Sequence, residues 1–274
     1  MSEPILNIEN LVVHYETRNG VAEAVNNVSF SVQPGETLGL VGETGAGKTT
    51  IALTIMGLLP KPAGHIVQGK ITLDGEDITK YAHNRKGSKE DKYFQHIRGG
   101  TAGMIFQDPM SALNPVLTVG EQVAEVIRLH NKVSRAEAAK RATEMMELVG
   151  IPGTRYNNYP HEFSGGMKQR IIIAMALACK PKLLIADEPT TALDVTIQAQ
   201  VLKLMKRLHQ ANSAVLLITH DLGVVSQMAT KLAVMKDGRV VETTDDPAAF
   251  FANPKHPYSQ GLIREARKME LETE

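Results

Sequence analysis

Residues 37–59 run TLGLVGETGAGKTTIALTIMGLL and join three segments with different physical preferences. TLGLVG is a short apolar run bounded by turn residues, the pattern of a buried strand. TTIALTIMGLL, from Thr49 onward, is apolar on more than one side, which predicts a helix buried against a sheet. Between them Gly42-Glu43-Thr44-Gly45-Ala46-Gly47-Lys48-Thr49 matches G-x-x-x-x-G-K-[ST]. Strand, glycine loop and helix in that order are the context a P-loop requires. The glycines let backbone N–H groups turn toward phosphates without a Cβ in the way, the helix N-terminus adds partial positive charge, and Lys48 adds a full one. Thr49 offers its hydroxyl to Mg2+, and Thr50 follows it among the expected nucleotide-binding positions. The spacing differs from G-x-G-x-x-G, so dinucleotide binding fits poorly.

Upstream, LNIENLVVHYE (6–16) and AVNNVSFSV (24–32) read as strands, and Pro34-Gly35 marks a turn. Downstream, residues 60–100 mix Gly, Pro and charge around one short strand, GKITLDGEDI, and the basic stretch from Lys80 to Arg98 reads as a solvated loop. TVGEQVAEVIRLH (118–130) and SRAEAAKRATEMMELVG (134–150) are helical in pattern, with Ser134 and Glu137 fitting the S-x-x-E capping box. They suggest an inserted helical lobe. After Pro181, LLIAD, a helix from about Thr196 to Gln210, AVLLITH, a further helix and LAVMKDGRVVE form a β-α-β-α-β series that implies a parallel sheet. The expected architecture is α/β, a P-loop nucleotidase core with an N-terminal antiparallel β-region and a helical subdomain inserted at about 110–163. That core takes residues 1–254, and 255–274 form a C-terminal tail.

Two further places carry chemistry. LLIA ends in Asp187 and Glu188, and a parallel strand would bring these acids beside the phosphate loop. Asp187 suits the magnesium shell of a P-loop nucleotidase, and Glu188 is the candidate to accept a proton from attacking water. Ser164-Gly165-Gly166 stands before MKQRIIIAMALACK, long enough for about four helical turns, with Ser164 placed to cap it. A second helix start with two glycines and a hydroxyl is a second anion site, which one nucleotide in one P-loop does not obviously need.

Composition narrows the class. Thirty Lys plus Arg balance thirty Asp plus Glu, so there is no global positive field to hold nucleic acid or anionic lipid. The apolar run Ile171 to Cys179 is far short of the roughly 18 residues that span a bilayer, and MSEPILNIEN is not a secretory signal. A cytosolic protein that meets a membrane only through a partner is expected. Cys179, the one cysteine, excludes an internal disulfide and reads as core filling.

FSGGMKQR, IFQDP, LLIADEPTTALD and LLITHD together resemble the ATP-binding subunits of ABC transporters. LVVHYETRNGVAEAVNNVSF, QDPMSALNP, HEFSGGMKQR and KHPYSQGL are similar to the peptide/nickel uptake group within them. The resemblance covers nearly the whole chain. It implies that Tyr15 stacks on adenine, that Gln107 reaches Mg2+ and senses the membrane partner, and that Ser164 with Gly166 grips the γ-phosphate of the opposite subunit. Asp194 would order the dimer seam, and His220 would steady the γ-phosphate and water. His220 also ends AVLLIT, a strand expected to be parallel to LLIAD, and so should emerge on the same edge as Glu188.

The resemblance further implies ATP and Mg2+ as cofactors and a second ABC ATPase subunit, the same or homologous, as partner. Two transmembrane permease subunits, an extracytoplasmic solute-binding protein acting indirectly, and a peripheral location on the cytoplasmic face of the membrane complete the expectation. Many oligopeptide-type members continue past the HPY motif into a longer tail with a cysteine cluster. This sequence stops at Glu274 with only Cys179, so no iron–sulfur site is expected and the substrate within the group is less constrained. The competing class is a soluble ABC ATPase of DNA repair or translation. Such proteins usually carry tandem cassettes or a long coiled-coil insertion, whereas only a small helical lobe fits between Gln107 and Ser164.

Overall fold

The computed structural model describes residues 3–81, 89–108, 112–191, 193–208 and 213–272. The chain divides into two compact units, Met1–Phe94 with Ala211–Glu274, and Gln95–Gln210.

In the first unit β1 (Leu6–Thr17) lies between β2 (Gly20–Val32) and β4 (Gly64–Leu73), antiparallel to both, and β5 (Glu76–Asp77) pairs antiparallel with the end of β4. Strand β1 buries Leu6 and Ile8, then Leu11 and Val13, two alternations out of phase by one residue. A bulge after Ile8, with Asn10 at φ 49°, absorbs the extra residue and keeps both pairs on the core face.

Strand β3 (Thr37–Val41) is buried at all five positions, as a strand covered on both faces must be, and runs parallel to β8 (Ala214–Thr219) and β9 (Lys231–Lys236). Of the series expected to be parallel, AVLLIT and LAVMK run parallel to β3, and the last piece of LAVMKDGRVVE does not. Asp237 (φ 47°) and Gly238 (φ 75°) make a two-residue hairpin turn, so β10 (Arg239–Thr244) folds back antiparallel on β9. Helix α1 (Lys48–Ile55) buries Ile51, Ala52, Thr54 and Ile55, as its apolar composition demands.

The expected solvated loop from Lys80 to Arg98 is corrected in part. Residues 82–88 lie outside the described residues, but Lys89–His96 form a helix, α2, whose Phe94 is fully buried against Gly57 while Tyr93 stacks on Tyr81 at 3.8 Å. Two aromatic anchors outweigh the polar face of that segment. Helices α7 (Leu222–Met228), α8 (Pro247–Ala252) and α9 (Pro257–Glu272) complete the unit.

The second unit holds β6 (Ala102–Ile105) parallel to β7 (Leu183–Asp187), with helices α3 (Val119–His130), α4 (Arg135–Leu148), α5 (Gly165–Leu177) and α6 (Val195–Leu208). Thr118 and Ser134 cap α3 and α4 by accepting from the N–H groups of Glu121 (3.4 Å) and Glu137 (3.2 Å). The Glu137 carboxylate is engaged by Arg141 at 2.7 Å, one turn on along the same helix. Cys179 is only partly buried, with its sulfur 3.5 Å from Asn131 Nδ2 and 3.6 Å from the Val126 carbonyl, and burial pushes its thiol pKa up. No described helix is long and apolar enough to cross a membrane.

Candidate functional site

In the first unit the phosphate loop leaves β3 at Gly42 and enters α1 at Lys48. Gly42, Gly45 and Gly47 have φ of 152°, 86° and 98°, conformations that residues with a Cβ rarely adopt. A Cβ at Gly42 would strike the carbonyl of Met235, and one at Gly47 the carbonyl of Ala24. At Gly45 a Cβ would meet nothing within 4 Å, so the loop's tip faces open space while its two ends are clamped by backbone.

Lys48 is 7% exposed and folds back over the loop, donating from Nζ to the carbonyls of Gly42 (2.7 Å) and Glu43 (2.9 Å). Glu43, Thr44 and Thr49 are exposed and Ala46 is buried under them. Tyr15 is half-buried on β1, its hydroxyl 3.4 Å from Thr50 Oγ1, which places it beside the first turn of α1. Val41 and Thr219 are paired in the parallel register, so His220 leaves β8 next to where Gly42 leaves β3, and it is exposed there. Gly42–Thr50, Tyr15 and His220 thus share one unit.

The cradle fits a polyphosphate. It combines an open tip, glycines at the conformations an inward-facing N–H ring needs, a helix start and one buried ammonium group that donates to the carbonyls of Gly42 and Glu43.

The second unit contains the other candidates. The β6–β7 register ends at Ile105 opposite Ala186, so Gln107 and the pair Asp187–Glu188 leave these strands at one edge. Asp187 is 2% exposed and Glu188 8%. Glu188 is held in the left-handed region at φ 49°, a conformation that costs a residue with a Cβ about 1–2 kcal/mol. Thr191 stabilises that geometry twice, its Oγ1 donating to Glu188 Oε2 at 3.0 Å and its N–H to the Glu188 carbonyl at 3.3 Å. Buried Gln169 on α5 donates to the Pro189 carbonyl at 2.7 Å and steadies the same turn.

Ser164 stands at the N-cap of α5 with extended backbone and is exposed, but its side chain makes no capping bond, so the expected capping role is not taken up by the hydroxyl. Gly165 faces open space, and a Cβ on Gly166 would come within 2.6 Å of Ile197 Cγ2. Asp194 caps α6, accepting from the Ile197 N–H at 2.9 Å. Thr191 and Gln169 escaped the sequence reading, although a threonine three residues after Glu188 is the usual signature of a side chain bonding back across a turn.

A profile of the family described as "ABC transporter" matches residues 25–191, more than half of the chain. The oligopeptide transport ATP-binding protein OppD of Bacillus subtilis (strain 168) is 48% identical over 262 residues, which cover 94% of this chain and 71% of that protein. The dipeptide transport ATP-binding protein DppD of Escherichia coli (strain K12) is 46% identical over 263 residues, 95% of this chain and 77% of that one. Among solved structures, the ATP-binding cassette MJ0796, a dimer in a post-hydrolysis state bound to ADP and Pi, superposes with a TM-score of 0.75 at 27% identity, covering 87% of this chain and 97% of that one. The cbiO1 subunit from Clostridium perfringens, part of the ABC transporter complex cbiONQ, gives 0.74 at 26% identity, covering 98% of this chain and 100% of that one. On the loop at Gly42–Thr49, the matched profile and these relatives together, the chain belongs to the ABC transporter family.

Proposed function

We propose that this chain is the ATP-hydrolysing subunit of an importer for oligopeptides or dipeptides. It would bind two transmembrane permease subunits at the cytoplasmic face of the membrane and receive solute indirectly through an extracytoplasmic binding protein. A second ABC ATPase subunit, identical or homologous, pairs with it head to tail. The observation that carries the reading is the loop Gly42–Thr49, a rigid-ended, open-tipped anion cradle closed by Lys48. The names of the relatives support peptides as the solute over a nickel or other metal chelate.

In this reading Lys48 and the loop N–H groups hold the β- and γ-phosphates of ATP, and Tyr15 stacks on adenine. Glu188, oriented by Thr191, accepts the proton of the attacking water, and His220 steadies the γ-phosphate. Thr49, Asp187 and Gln107 are the oxygen donors that would hold Mg2+, which when bound neutralises phosphate charge. The exposed Ser164 hydroxyl and the Gly165–Gly166 backbone take the γ-phosphate bound to the opposite subunit, and Asp194 lies at the seam between subunits. The test is affinity purification from membranes with identification of what co-purifies, alongside ATPase assay of the recovered complex. Peptide-stimulated turnover with two permease subunits supports the proposal, whereas recovery of ribosomes or DNA ends without permeases overturns it.

A further inference from the structure

KHPYSQGL (255–262) has no task in the site described above, yet each of its first residues has a defined geometric duty. The Glu242 carboxylate on β10 accepts from the N–H groups of Lys255 (2.8 Å) and His256 (2.9 Å). His256 Nδ1 in turn accepts from the Tyr258 N–H at 3.2 Å, so the imidazole caps α9. Pro257 opens that helix where a missing N–H costs nothing. On the apolar side Phe250 and Ile263 are buried with Val41, Leu222, Val225, Leu232 and Val234. Val41 is the residue before Gly42.

Tyr258 therefore projects from a fixed base, and its hydroxyl accepts from the Glu43 N–H at 3.1 Å. Lys236 Nζ lies 4.9 Å from the Tyr258 ring centroid and holds the ring from another side. The carbonyl of the same Glu43 accepts from Lys48 Nζ at 2.9 Å. One loop residue is thus gripped at its N–H by the C-terminal segment and at its C=O by the phosphate-binding lysine.

We propose that Tyr258 is a positioning residue of the phosphate loop, its hydroxyl holding the Glu43 N–H so that the loop keeps its shape when Lys48 turns from the Glu43 carbonyl to a bound phosphate. The inference rests on the reading of Gly42–Thr49 as the ATP cradle. A loop that must be ordered on binding loses affinity in proportion to the ordering, and a loop already held does not.

Tyr258→Phe removes the hydroxyl and keeps the ring against Lys236. It is expected to weaken binding of trinitrophenyl-ATP about threefold, the size of one partly solvated neutral hydrogen bond. The KM for ATP should rise by the same factor with kcat within twofold, and the unfolding temperature without nucleotide should stay near wild type. Phe250→Leu is the comparison, since it loosens the same core but leaves the Tyr258 hydroxyl and its bond to the Glu43 N–H in place, and it should lower the unfolding temperature while leaving affinity unchanged. Affinity equal to wild type in Tyr258→Phe, while Lys48→Ala has lost binding, overturns the role of Tyr258 alone. So does a Phe250→Leu chain that loses affinity as much as Tyr258→Phe. A Lys48→Ala chain that binds as tightly as wild type overturns the reading of the loop together with the inference built on it.

Discussion

Glu188 sits in a backbone conformation that its side chain disfavours, and two bonds from Thr191 keep it there. The carboxylate is aimed by the turn, so changing its chemistry without its shape separates aim from proton acceptance. Glu188→Gln is expected to keep nucleotide affinity within about twofold while turnover falls by about 10^2–10^4, the range of one general base. Titration with a fluorescent ATP analogue and phosphate release measure the two quantities, and near wild-type turnover would remove Glu188 from the mechanism. Lys48→Ala acts earlier. It takes the only buried ammonium out of the loop, and about tenfold or greater loss of ATP affinity is expected from one charge-assisted contact. Gly42–Lys48 could be read as a cradle directly because the pattern itself states which backbone angles are needed. The left-handed turn at Glu188 could not, since it depends on a threonine hydroxyl and on Gln169 reaching the Pro189 carbonyl from another helix.

Helix and strand identities were largely legible, because periodicity and caps are local. Thr118 and Ser134 start α3 and α4 where the sequence placed them, and LLIAD and AVLLIT are the strands β7 and β8. Illegible were the features that depend on distant partners. Phe94 turns an apparently solvated stretch into a helix by finding Gly57, and the bulge at Asn10 is set by its two flanking strands. The helix scale also offers a clean measurement. Asp194 caps α6 through the Ile197 N–H, so Asp194→Ala should cost about 0.5–2 kcal/mol of local stability, seen as faster hydrogen exchange at the first amides of α6. Asp194→Asn should retain the cap. If ATP-driven dimerisation nevertheless fails in Asp194→Asn, the charge serves the subunit seam and not the helix alone; equal exchange in all three chains removes the capping role.

At the scale of the molecule, the proposed function gives each chain two anion sites, Gly42–Thr49 and Ser164–Gly166, for one nucleotide per phosphate loop. If each nucleotide lies between two subunits, a dimer mixing Lys48→Ala with Ser164→Arg gathers both lesions in one composite site and leaves the other whole. ATPase activity of the mixture should then exceed that of either parent, approaching about half of wild type per mixed dimer. A mixture no faster than its parents, with pairing verified, would falsify a shared site; where the native partner is a different subunit, the second change goes on its matching serine. The connectivity of β3 carries a different kind of consequence. Its two sheet neighbours are β8 and β9, with Thr37 paired to Val215 and Leu38 to both Leu216 and Lys231, so the strand that aims the phosphate loop has no partner within the first two hundred residues. On the ribosome the β1–β2 hairpin can close at once. Strand β3, buried at every position in the folded chain, must wait about ten seconds or more at common elongation speeds, an unpaired edge throughout, and during that wait the nascent chain is at its most prone to aggregate and most in need of a chaperone.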